Sequence, residues 1–396
     1  MRGTAPGDVV EVAITDLGRL LEGRLLQIIE PGRSRVATRC VHVDECGGCQ
    51  WQQVSIEAQR EAKRSNLIEA LVRIARIPRE RLPEVGLVAS PQDFRYRRRA
   101  RFMVEMRTGQ LGYAGSEGRP HVVLRECHLL VPPLERLMLR LSAVLRESPL
   151  RPRHVEACAV EERTAVLLEL DSPATPVKME ALARRVMEAI TELSGVVVRT
   201  GAEVVEVGTP DLSTFGGTTY LRPDAFGQAN QAVNEKLVQA ALEALSPSPA
   251  DRVLELFCGN GNFTLPLGER AREVVAVEES SISLKLLRRA LEQAGLGNVL
   301  VQAGQAASVA HDMAWKGERF DLALLDPPRV GAKELLEDLT RLCPRSIAYV
   351  SCDPATLARD LKTLLAHGYR LEQATVFDQF PQTYHLEALA LLVRPG

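Results

Sequence analysis

From Asp224 to the end of the chain, short apolar runs alternate with segments of helical periodicity. The predicted strands lie at 253–257, 274–277, 299–302, 322–325, 347–350, 376–377 and 386–393. Parallel strands require a crossover connection, which is usually a helix, so this alternation predicts an α/β domain built on a parallel, doubly wound sheet. Ligands of such sheets bind beyond the carboxyl ends of the strands, and site residues are therefore expected there.

A glycine loop, Phe257-Cys258-Gly259-Asn260-Gly261, follows the first strand of this sheet. Its glycines allow the backbone to approach a ligand closely, and the carboxylate of Glu278, which ends the second strand, can accept both hydroxyls of a ribose. Thr264 replaces the third glycine of the dinucleotide-binding pattern. A phosphate-free adenosine ligand is therefore favoured over a dinucleotide, and S-adenosylmethionine fits that description.

Cys352 stands between the predicted strand at 347–350 and a helix that has Asp353 as its predicted N-cap and Pro354 as its first residue. Free backbone N–H groups and the helix dipole favour an anion at this position. We therefore expect the Cys352 thiol to ionise more easily than a free cysteine, whose pKa is about 8.5. Cys352 is a candidate nucleophile; the alternative is a small buried hydrophobic residue.

Two carboxylates are expected near this cysteine. Asp326, in Asp326-Pro327-Pro328-Arg329, follows the strand at 322–325 and should face the same crevice as Cys352. Glu387 opens the last strand and is a candidate general base, the alternative being an ordinary surface glutamate at a strand end. A cysteine at position 329 would suggest a cytosine-5 methyltransferase with paired cysteines, and Arg329 argues against that class.

Three cysteines fall within ten residues near the N-terminus: Cys40, Cys46 and Cys49, a C-x5-C-x2-C spacing. The intervening Gly47 and Gly48 allow the loop to curl around a metal. Cys127 is the best candidate for a fourth ligand, with Cys158 and His42 as weaker ones. Four thiolates suit zinc or an iron–sulfur cluster, and the spacing alone does not choose between them.

The segment 60–107 is basic, with 13 Lys and Arg against 6 Asp and Glu, although the whole chain has a net charge of −2. Within it, a predicted strand over 94–102 would place Arg95, Arg97, Arg99 and Arg101 on one face. Arginines bind phosphates and stack on bases, so this pattern is typical of an RNA-contact strand. The alternative is a cross-strand ladder of salt bridges.

The 396 residues are enough for two or three domains. The first 39 contain two predicted strands, at 9–14 and 23–29, which are too few for an independent β-domain. A helix is predicted at 55–77, ended by Pro78, and short strands mix with one or two helices up to a boundary at Gly216-Gly217 and Arg222-Pro223.

The N-terminus has no signal pattern, and no apolar run approaches the roughly 18 residues of a membrane span. A cytoplasmic protein is therefore predicted, with cysteines that are reduced or metal-bound rather than disulfide-paired.

From about Gly7 onward the sequence resembles the RNA uracil-C5 methyltransferases, and it is most similar to the iron–sulfur type that acts on 23S ribosomal RNA. The matching segments are Cys40 and Cys46-Gly47-Gly48-Cys49 with Cys127, Tyr96-Arg97-Arg98-Arg99-Ala100-Arg101, 226–230 with Asn234, 256–263, 326–329, 351–357, and Phe380-Pro381 through His385-Leu386-Glu387.

This resemblance implies a Rossmann-like class I S-adenosylmethionine methyltransferase domain at 223–396. It also implies a β-rich central RNA-binding domain with the iron–sulfur site at 40–222, where helix 55–77 is a candidate to pack on the catalytic domain, and a truncated OB-like (TRAM-type) segment at 1–39. Glu255 and Asp353 replace the Asp and Asn that are common in the family.

The site residues that the resemblance implies are Cys40, Cys46, Cys49 and Cys127 as ligands of a [4Fe–4S] cluster, Gln228, Phe257, Asn262, Glu278, Gln305 and Asp326 as contacts of S-adenosylmethionine, Cys352 as nucleophile and Glu387 as base. The resemblance implies RNA as the partner, with 23S rRNA as the first candidate. The protein is expected to act as a monomer and not to associate with a membrane. The alternatives are the same chemistry on a tRNA uridine, or, in a different class, a metal-stapled RNA-binding protein without turnover.

Overall fold

The computed structural model of this protein describes residues 1–16, 18, 21–116, 118, 120–214, 219–342 and 344–395. Gly216 and Gly217, which mark a predicted boundary, lie outside the described residues. The chain forms two compact units. The first comprises Met1–Ala62, Gln92–Pro210 and Phe380–Tyr384, and the second comprises Lys63–Pro91, Asp211–Gln379 and His385–Gly396.

In chain order the strands and helices are β1 (Val9–Asp16), β2 (Leu21–Glu30), α1 (Ile56–Arg73), β3 (Val85–Val88), β4 (Arg99–Val104), β5 (Leu111–Tyr113), β6 (Val122–Val123), α2 (Pro132–Arg146), β7 (His154–Val160), β8 (Arg163–Glu169), α3 (Pro176–Ala189), β9 (Leu193–Thr200), β10 (Glu203–Gly208), β11 (Leu212–Ser213), β12 (Tyr220–Leu221), α4 (Gln231–Leu245), β13 (Arg252–Leu256), α5 (Thr264–Gly268), β14 (Glu273–Glu278), α6 (Ser281–Ala294), β15 (Val299–Ala303), α7 (Ala306–Trp315), β16 (Leu322–Leu325), α8 (Leu336–Arg341), β17 (Ser346–Ser351), α9 (Pro354–Ala366), β18 (Arg370–Phe377) and β19 (Glu387–Val393).

The second unit is built on an eight-stranded sheet with the order β15-β14-β13-β16-β17-β19-β18-β3. Strands β13 to β17 are parallel, as the alternating sequence predicts. Strand β19 runs antiparallel to both β17 and β18, while β3 is parallel to β18. Because β19 is reversed, its first residue lies at the edge where the parallel strands end.

Helices cover both faces of this sheet. Leu254 of β13 belongs to a core cluster with residues of α7, α8 and α9, whereas Val253, the preceding residue, belongs to a second cluster with Val233 and Leu237 of α4. A strand buried on both faces reads as a continuous apolar run, which is why these strands could be located from the sequence.

Residues Lys63–Pro91 belong to the second unit, whereas the predicted central domain spans 40–222 with the helix at 55–77 as a candidate to pack on the catalytic domain. Strand β3 within this segment pairs with β18, and Leu67 and Leu71 lie in the same core cluster as Leu254. Contacts with residues far away in the sequence therefore place the segment Lys63–Pro91 in the second unit.

Helix α1 begins after Ser55, as predicted, and the Ser55 hydroxyl accepts a hydrogen bond from the Ala58 N–H at 3.4 Å. The predicted end at Pro78 is wrong, since the helix stops at Arg73. Arg76 adopts a left-handed backbone conformation, with φ of +63°, which an α-helix does not accommodate.

The first unit contains a seven-stranded sheet with the order β10-β9-β8-β7-β4-β5-β6, in which the β8–β9 pair alone is parallel among the described pairings. Helices α2 and α3 share its core. Strands β1 and β2 form a separate two-stranded antiparallel sheet, and the OB-like character of this segment stays a prediction. Within the described ranges, no helix is long and apolar enough to span a membrane.

Candidate active site

The glycine loop leaves strand β13 through backbone conformations that favour glycine. Phe257 has a φ of +64°, Gly259 of +57° and Gly261 of +100°. A Cβ at Gly261 would lie 2.6 Å from Leu265 Cδ1, so only glycine fits there. A Cβ at Gly259 would meet no described atom within 4 Å, so this part of the loop borders open space that a ligand can enter.

The carboxylate of Glu278 holds this loop in place. One oxygen, Oε2, accepts a hydrogen bond from the Gly259 N–H at 3.0 Å, and Oε1 accepts one from the Ser280 N–H at 2.8 Å. Because a carboxylate offers about four acceptor positions, Glu278 retains capacity for the hydroxyls of a ribose.

The other predicted contacts of the cofactor lie in different surroundings. Asn262 exchanges two amide hydrogen bonds with Asn234, at 2.8 and 3.0 Å. Gln228 is buried and accepts a hydrogen bond from Gln379 at 3.0 Å. Gln305 is exposed at the N-terminus of α7 and makes no side-chain capping hydrogen bond.

Strand pairing brings Cys352 and Glu387 together. Ser351, at the end of β17, pairs with Ala388 of the antiparallel β19. Cys352 directly follows Ser351 and Glu387 directly precedes Ala388, so the two residues lie next to the same strand pair. Asp326 directly follows β16, the neighbour of β17. Glu387 is only 3% exposed, so it is not the ordinary surface glutamate of the alternative interpretation.

The expected low pKa of Cys352 is wrong, because its pKa is raised. Burial is the largest cause, followed by the charge of Glu387, while Arg329 hydrogen-bonds the thiol and lowers its pKa, and Asp326 raises it. Asp353 is the N-cap, as predicted, and its carboxylate accepts the Ala355 and Thr356 N–H groups, each at 2.9 Å. These helix N–H groups therefore stabilise Asp353 rather than a thiolate.

The two carboxyls beside Cys352 also hold their protons strongly. Burial raises the pKa of Asp326 to about 7. Burial and then the Asp326 charge raise the pKa of Glu387 well above its ordinary value, with Arg329 opposing them. Arg329 is thus the cation that balances this acidic group, a role that its sequence position did not indicate.

Glu255, which stands where relatives in the family commonly have Asp, is a buried carboxyl next to the last residue of β13. It is 0% exposed, and neither oxygen has a hydrogen-bond partner among the residues that the structure describes. The pKa of Glu255 is raised to about 8, chiefly by burial; the Thr264 hydroxyl opposes this rise, and the charges of Asp326 and Glu278 add to it. Its neighbour Thr264 also lacks a partner for its hydroxyl in the described part of the chain.

The cysteine group lies in the first unit. The thiol of Cys49 interacts electrostatically with those of Cys40, Cys46 and Cys127. Backbone N–H groups point at two of the sulfurs, His42 N–H at Cys40 Sγ (3.4 Å) and Gly48 N–H at Cys46 Sγ (3.3 Å). Burial raises the pKa of Cys49 to about 12 and that of Cys127 to about 11.

Two weaker ligand candidates have other surroundings. The Nε2 of His42 accepts a hydrogen bond from the Arg125 N–H at 3.1 Å, and Cys158 is fully buried in β7. No group of three or more His, Cys, Asp or Glu side chains is arranged to hold a single metal ion in the described part of the chain. A cluster binds each thiolate to a different iron, so its four sulfurs stand further apart than the ligands of one ion.

The arginine-rich segment is not the strand that the sequence predicted. Strand β4 begins only at Arg99, and Arg95 has a φ of +57°. Arg99 lies 3.6 Å from Glu156 of β7, and Arg101 lies 3.4 Å from Glu169 of β8. The structure therefore shows the cross-strand salt bridges of the alternative interpretation at these two arginines.

A sequence model of the tRNA (Uracil-5-)-methyltransferase family matches residues 218–395. Over its full length the chain is similar to proteins named 23S rRNA (uracil(1939)-C(5))-methyltransferase RlmD. The protein from Pectobacterium atrosepticum is 34% identical over 403 residues, which cover 99% of this chain and 88% of that protein. The protein from Vibrio cholerae is 34% identical over 412 residues, which cover 100% of this chain and 90% of that protein.

A solved structure with a similar fold is the tRNA (uracil-54, C5)-methyltransferase of Pyrococcus abyssi in complex with S-adenosyl-L-homocysteine. Its TM-score is 0.76 at 22% identity, and the match covers 99% of this chain and 95% of that chain. This likeness confirms the predicted α/β fold with a Rossmann-like methyltransferase core.

Proposed function

The chain belongs to the family of S-adenosylmethionine-dependent RNA uracil-C5 methyltransferases, and we propose that it methylates C5 of a uridine in 23S ribosomal RNA. The relatives named for 23S rRNA match it over its full length at 34% identity. The observation that carries the proposal is the pairing of Ser351 with Ala388, because it sets a thiol and a buried carboxyl side by side at the carboxyl edge of the sheet.

Cys352 begins the reaction as the nucleophile. Its thiolate adds to C6 of the uracil, forming an S–C6 bond and moving an electron pair toward C5 and O4, so that C5 becomes enolate-like and nucleophilic. The hydrogen bond and positive charge of Arg329 favour the thiolate form that this step needs. S-Adenosylmethionine supplies the methyl group that C5 accepts.

Glu387 completes the reaction as the general base. Its carboxylate removes the proton from C5, the released electron pair restores the C5–C6 double bond, and the Cys352 thiolate is expelled from C6. Burial of Glu387 raises its pKa, which makes its carboxylate a stronger base than one in water. A base within a duplex is inaccessible, so the target uridine must be flipped out of its stack.

The residues around the glycine loop fit an adenosine ligand. Gly259 borders open space, and Glu278 holds the loop while retaining acceptor capacity. Within this arrangement Phe257, Asn262, Glu278, Gln228 and Asp326 would hold S-adenosylmethionine, whereas the exposure of Gln305 supports a role for it least.

The four cysteines of the first unit would hold a [4Fe–4S] cluster. Their mutual electrostatic interaction and the N–H groups directed at Cys40 and Cys46 support this proposal, since N–H donors stabilise the charge of cluster thiolates. The bound cluster would supply a covalent staple between Cys127 and the loop at 40–49.

The test is methyl transfer to defined transcripts. Purified protein with its cluster should release tritium from [5-³H]uridine in a 23S rRNA transcript, and the product should contain 5-methyluridine. Cys352→Ala should abolish tritium release while binding of S-adenosylmethionine persists. Cys158→Ala, which removes a cysteine outside the site, should still release tritium. An active Cys352→Ala protein would refute the mechanism.

A tRNA substrate is the second candidate, favoured by the match to the tRNA (Uracil-5-)-methyltransferase family model. Parallel assays on tRNA transcripts, with mapping of 5-methyluridine in rRNA and tRNA from a deletion strain, distinguish the two. Loss of the modification from tRNA alone would overturn the 23S assignment. Binding without turnover on either RNA would support a non-catalytic RNA-binding protein.

A further inference from the structure

A buried polar segment lies directly beside Glu387 and has no role in the reaction described above. Phe377, the last residue of β18, pairs with Glu387, and Asp378 and Gln379 follow it. The Asp378 N–H donates to the Val88 carbonyl at 2.9 Å, and the Gln379 N–H donates to the Phe377 carbonyl at 2.8 Å. This part of the backbone is therefore held in one conformation.

Gln379 is 0% exposed, which is unusual for a glutamine. Its Nε2 donates a hydrogen bond to Oε1 of Gln228 at 3.0 Å. Because that oxygen accepts from Gln379, the Nε2 end of the Gln228 amide is directed away from Gln379. The hydrogen bond from Gln379 thus fixes the orientation of the Gln228 amide, with its oxygen facing Gln379.

The second polar atom of the Gln379 amide is its oxygen, Oε1. Its Oε1 is buried and has no hydrogen-bond partner among the residues that the structure describes. A buried acceptor without a donor is costly, and such groups in native proteins call for a specific explanation. Gln379 lies two residues beyond Phe377, the partner of Glu387, and its amide contacts Gln228, so a ligand bound at the reaction centre is a candidate source of the donor.

Resting on the proposed function, we propose that Gln379 is a positioning residue for methyl transfer. It orients Gln228 toward the ligand and accepts, through its Oε1, a hydrogen bond from a ligand N–H. Two ligands of this reaction carry such donors: the uracil, at N3, and S-adenosylmethionine, at its ammonium group and at the amino group of its adenine. Both present an N–H to a neutral carbonyl, and binding measurements distinguish them.

The experiment replaces Gln379 by Met, which keeps the length of the side chain and removes both hydrogen bonds. The matched control is Gln373→Met on the same strand, whose amide donates to Thr375 Oγ1 at 3.3 Å outside the site. Binding of S-adenosylmethionine is measured by calorimetry, and KM and kcat are measured on the 23S transcript. An active wild-type protein establishes the proposed function independently of the variant.

We expect Gln379→Met to weaken one of the two ligands by about tenfold or more, while Gln373→Met leaves both unchanged. A raised Kd for S-adenosylmethionine identifies the cofactor, rather than the uracil, as the ligand that supplies the donor. A raised KM for RNA with an unchanged cofactor Kd identifies the uracil N3–H. Unchanged Kd and KM, or a loss confined to thermal stability, would overturn the proposal.

A double variant separates the two parts of the role. If Gln379 acts only by orienting Gln228, Gln228→Ala combined with Gln379→Met should bind ligand as weakly as Gln228→Ala alone. A further loss in the double variant measures the direct hydrogen bond to Gln379 Oε1. Fully additive losses would show that Gln379 does not act through Gln228 and would refute that part of the proposal.

Discussion

Cys352 and Glu387 are joined by strand pairing although 35 positions separate them in the sequence, because Ser351 pairs with Ala388 in the antiparallel β17–β19 pair. Burial is the largest cause of the raised pKa of the Cys352 thiol, and the charge of Glu387 is the next. Nucleophile and base are thus electrostatically linked.

Glu387→Gln should trap the enzyme on its RNA. The amide cannot take the C5 proton, so Cys352 remains bonded to C6 after methyl transfer. Denaturing gels of the variant with a labelled 23S transcript should show a protein–RNA adduct that the Glu387→Gln, Cys352→Ala double variant lacks. Normal turnover by Glu387→Gln would exclude this glutamate as the base.

The reactivity of Cys352 toward iodoacetamide should rise with pH and depend on its charged neighbours. Asp326→Asn removes a carboxylate that raises the pKa of the thiol, so its alkylation profile should shift to lower pH, by up to about one unit. Arg329→Gln removes the cation that lowers this pKa and should shift the profile to higher pH.

The measurement is the rate of alkylation of the Cys352 peptide followed by mass spectrometry. The buried Cys258 is the internal control and should stay unmodified in the folded protein. Identical profiles for the wild type and both variants would contradict the electrostatic explanation of the raised pKa.

Glu255→Gln should stabilise the protein increasingly as pH rises. The pKa of Glu255 is about 8 in the folded protein against an ordinary 4.5, so between these values the folded state binds more protons than the unfolded state. Stability must therefore fall with rising pH in this window, by at most about 1.4 kcal/mol per pH unit for one group.

Glutamine has no carboxyl to titrate, so the free energy of unfolding of Glu255→Gln minus that of the wild type should grow between pH 5.5 and 7.5. Urea unfolding of both proteins measures it. A difference that does not change with pH would show that Glu255 is not the buried acid described above.

Cys127→Ser should lose iron and acid-labile sulfide, because a four-iron cluster requires four thiolate ligands. Cys158→Ser, a change at a buried cysteine of the same unit, should keep both. Iron and sulfide analysis of anaerobically purified proteins gives the result. Equal contents in the two variants would remove Cys127 from the ligand set.

The Lys63–Asp378 ion pair should respond differently to single and double substitution. Its atoms Nζ and Oδ1 are 2.6 Å apart, and both side chains are 0% exposed. Asp378→Asn leaves a buried ammonium without its charge partner and should cost about 3–5 kcal/mol of unfolding free energy. Adding Lys63→Met should recover part of this loss, as measured by urea unfolding, whereas a further full loss would contradict a coupled pair.

Much of the fold could be predicted because local patterns are strong where strands are buried on both faces. The strand predicted at 322–325 is β16, and Asp353 caps α9 as expected. The arginine segment at 94–102 was not predictable in this way, because exposed and half-buried charges follow no periodicity that distinguishes a strand from a loop. The acceptors of Arg99 and Arg101 lie on strands more than fifty residues away in the chain.

The sequence by itself determined the parallel strand–helix part of the sheet, the order of its elements along the chain and the chemical groups at the strand ends, because apolar periodicity and capping residues act over a few neighbouring positions. The tertiary structure alone decided that β3 pairs with β18, that β19 runs antiparallel to its neighbours, that the pKa of Cys352 is raised, and that Gln379 meets Gln228. These properties depend on burial and on charges brought close by folding, and both are set by contacts between residues that are far apart in the chain.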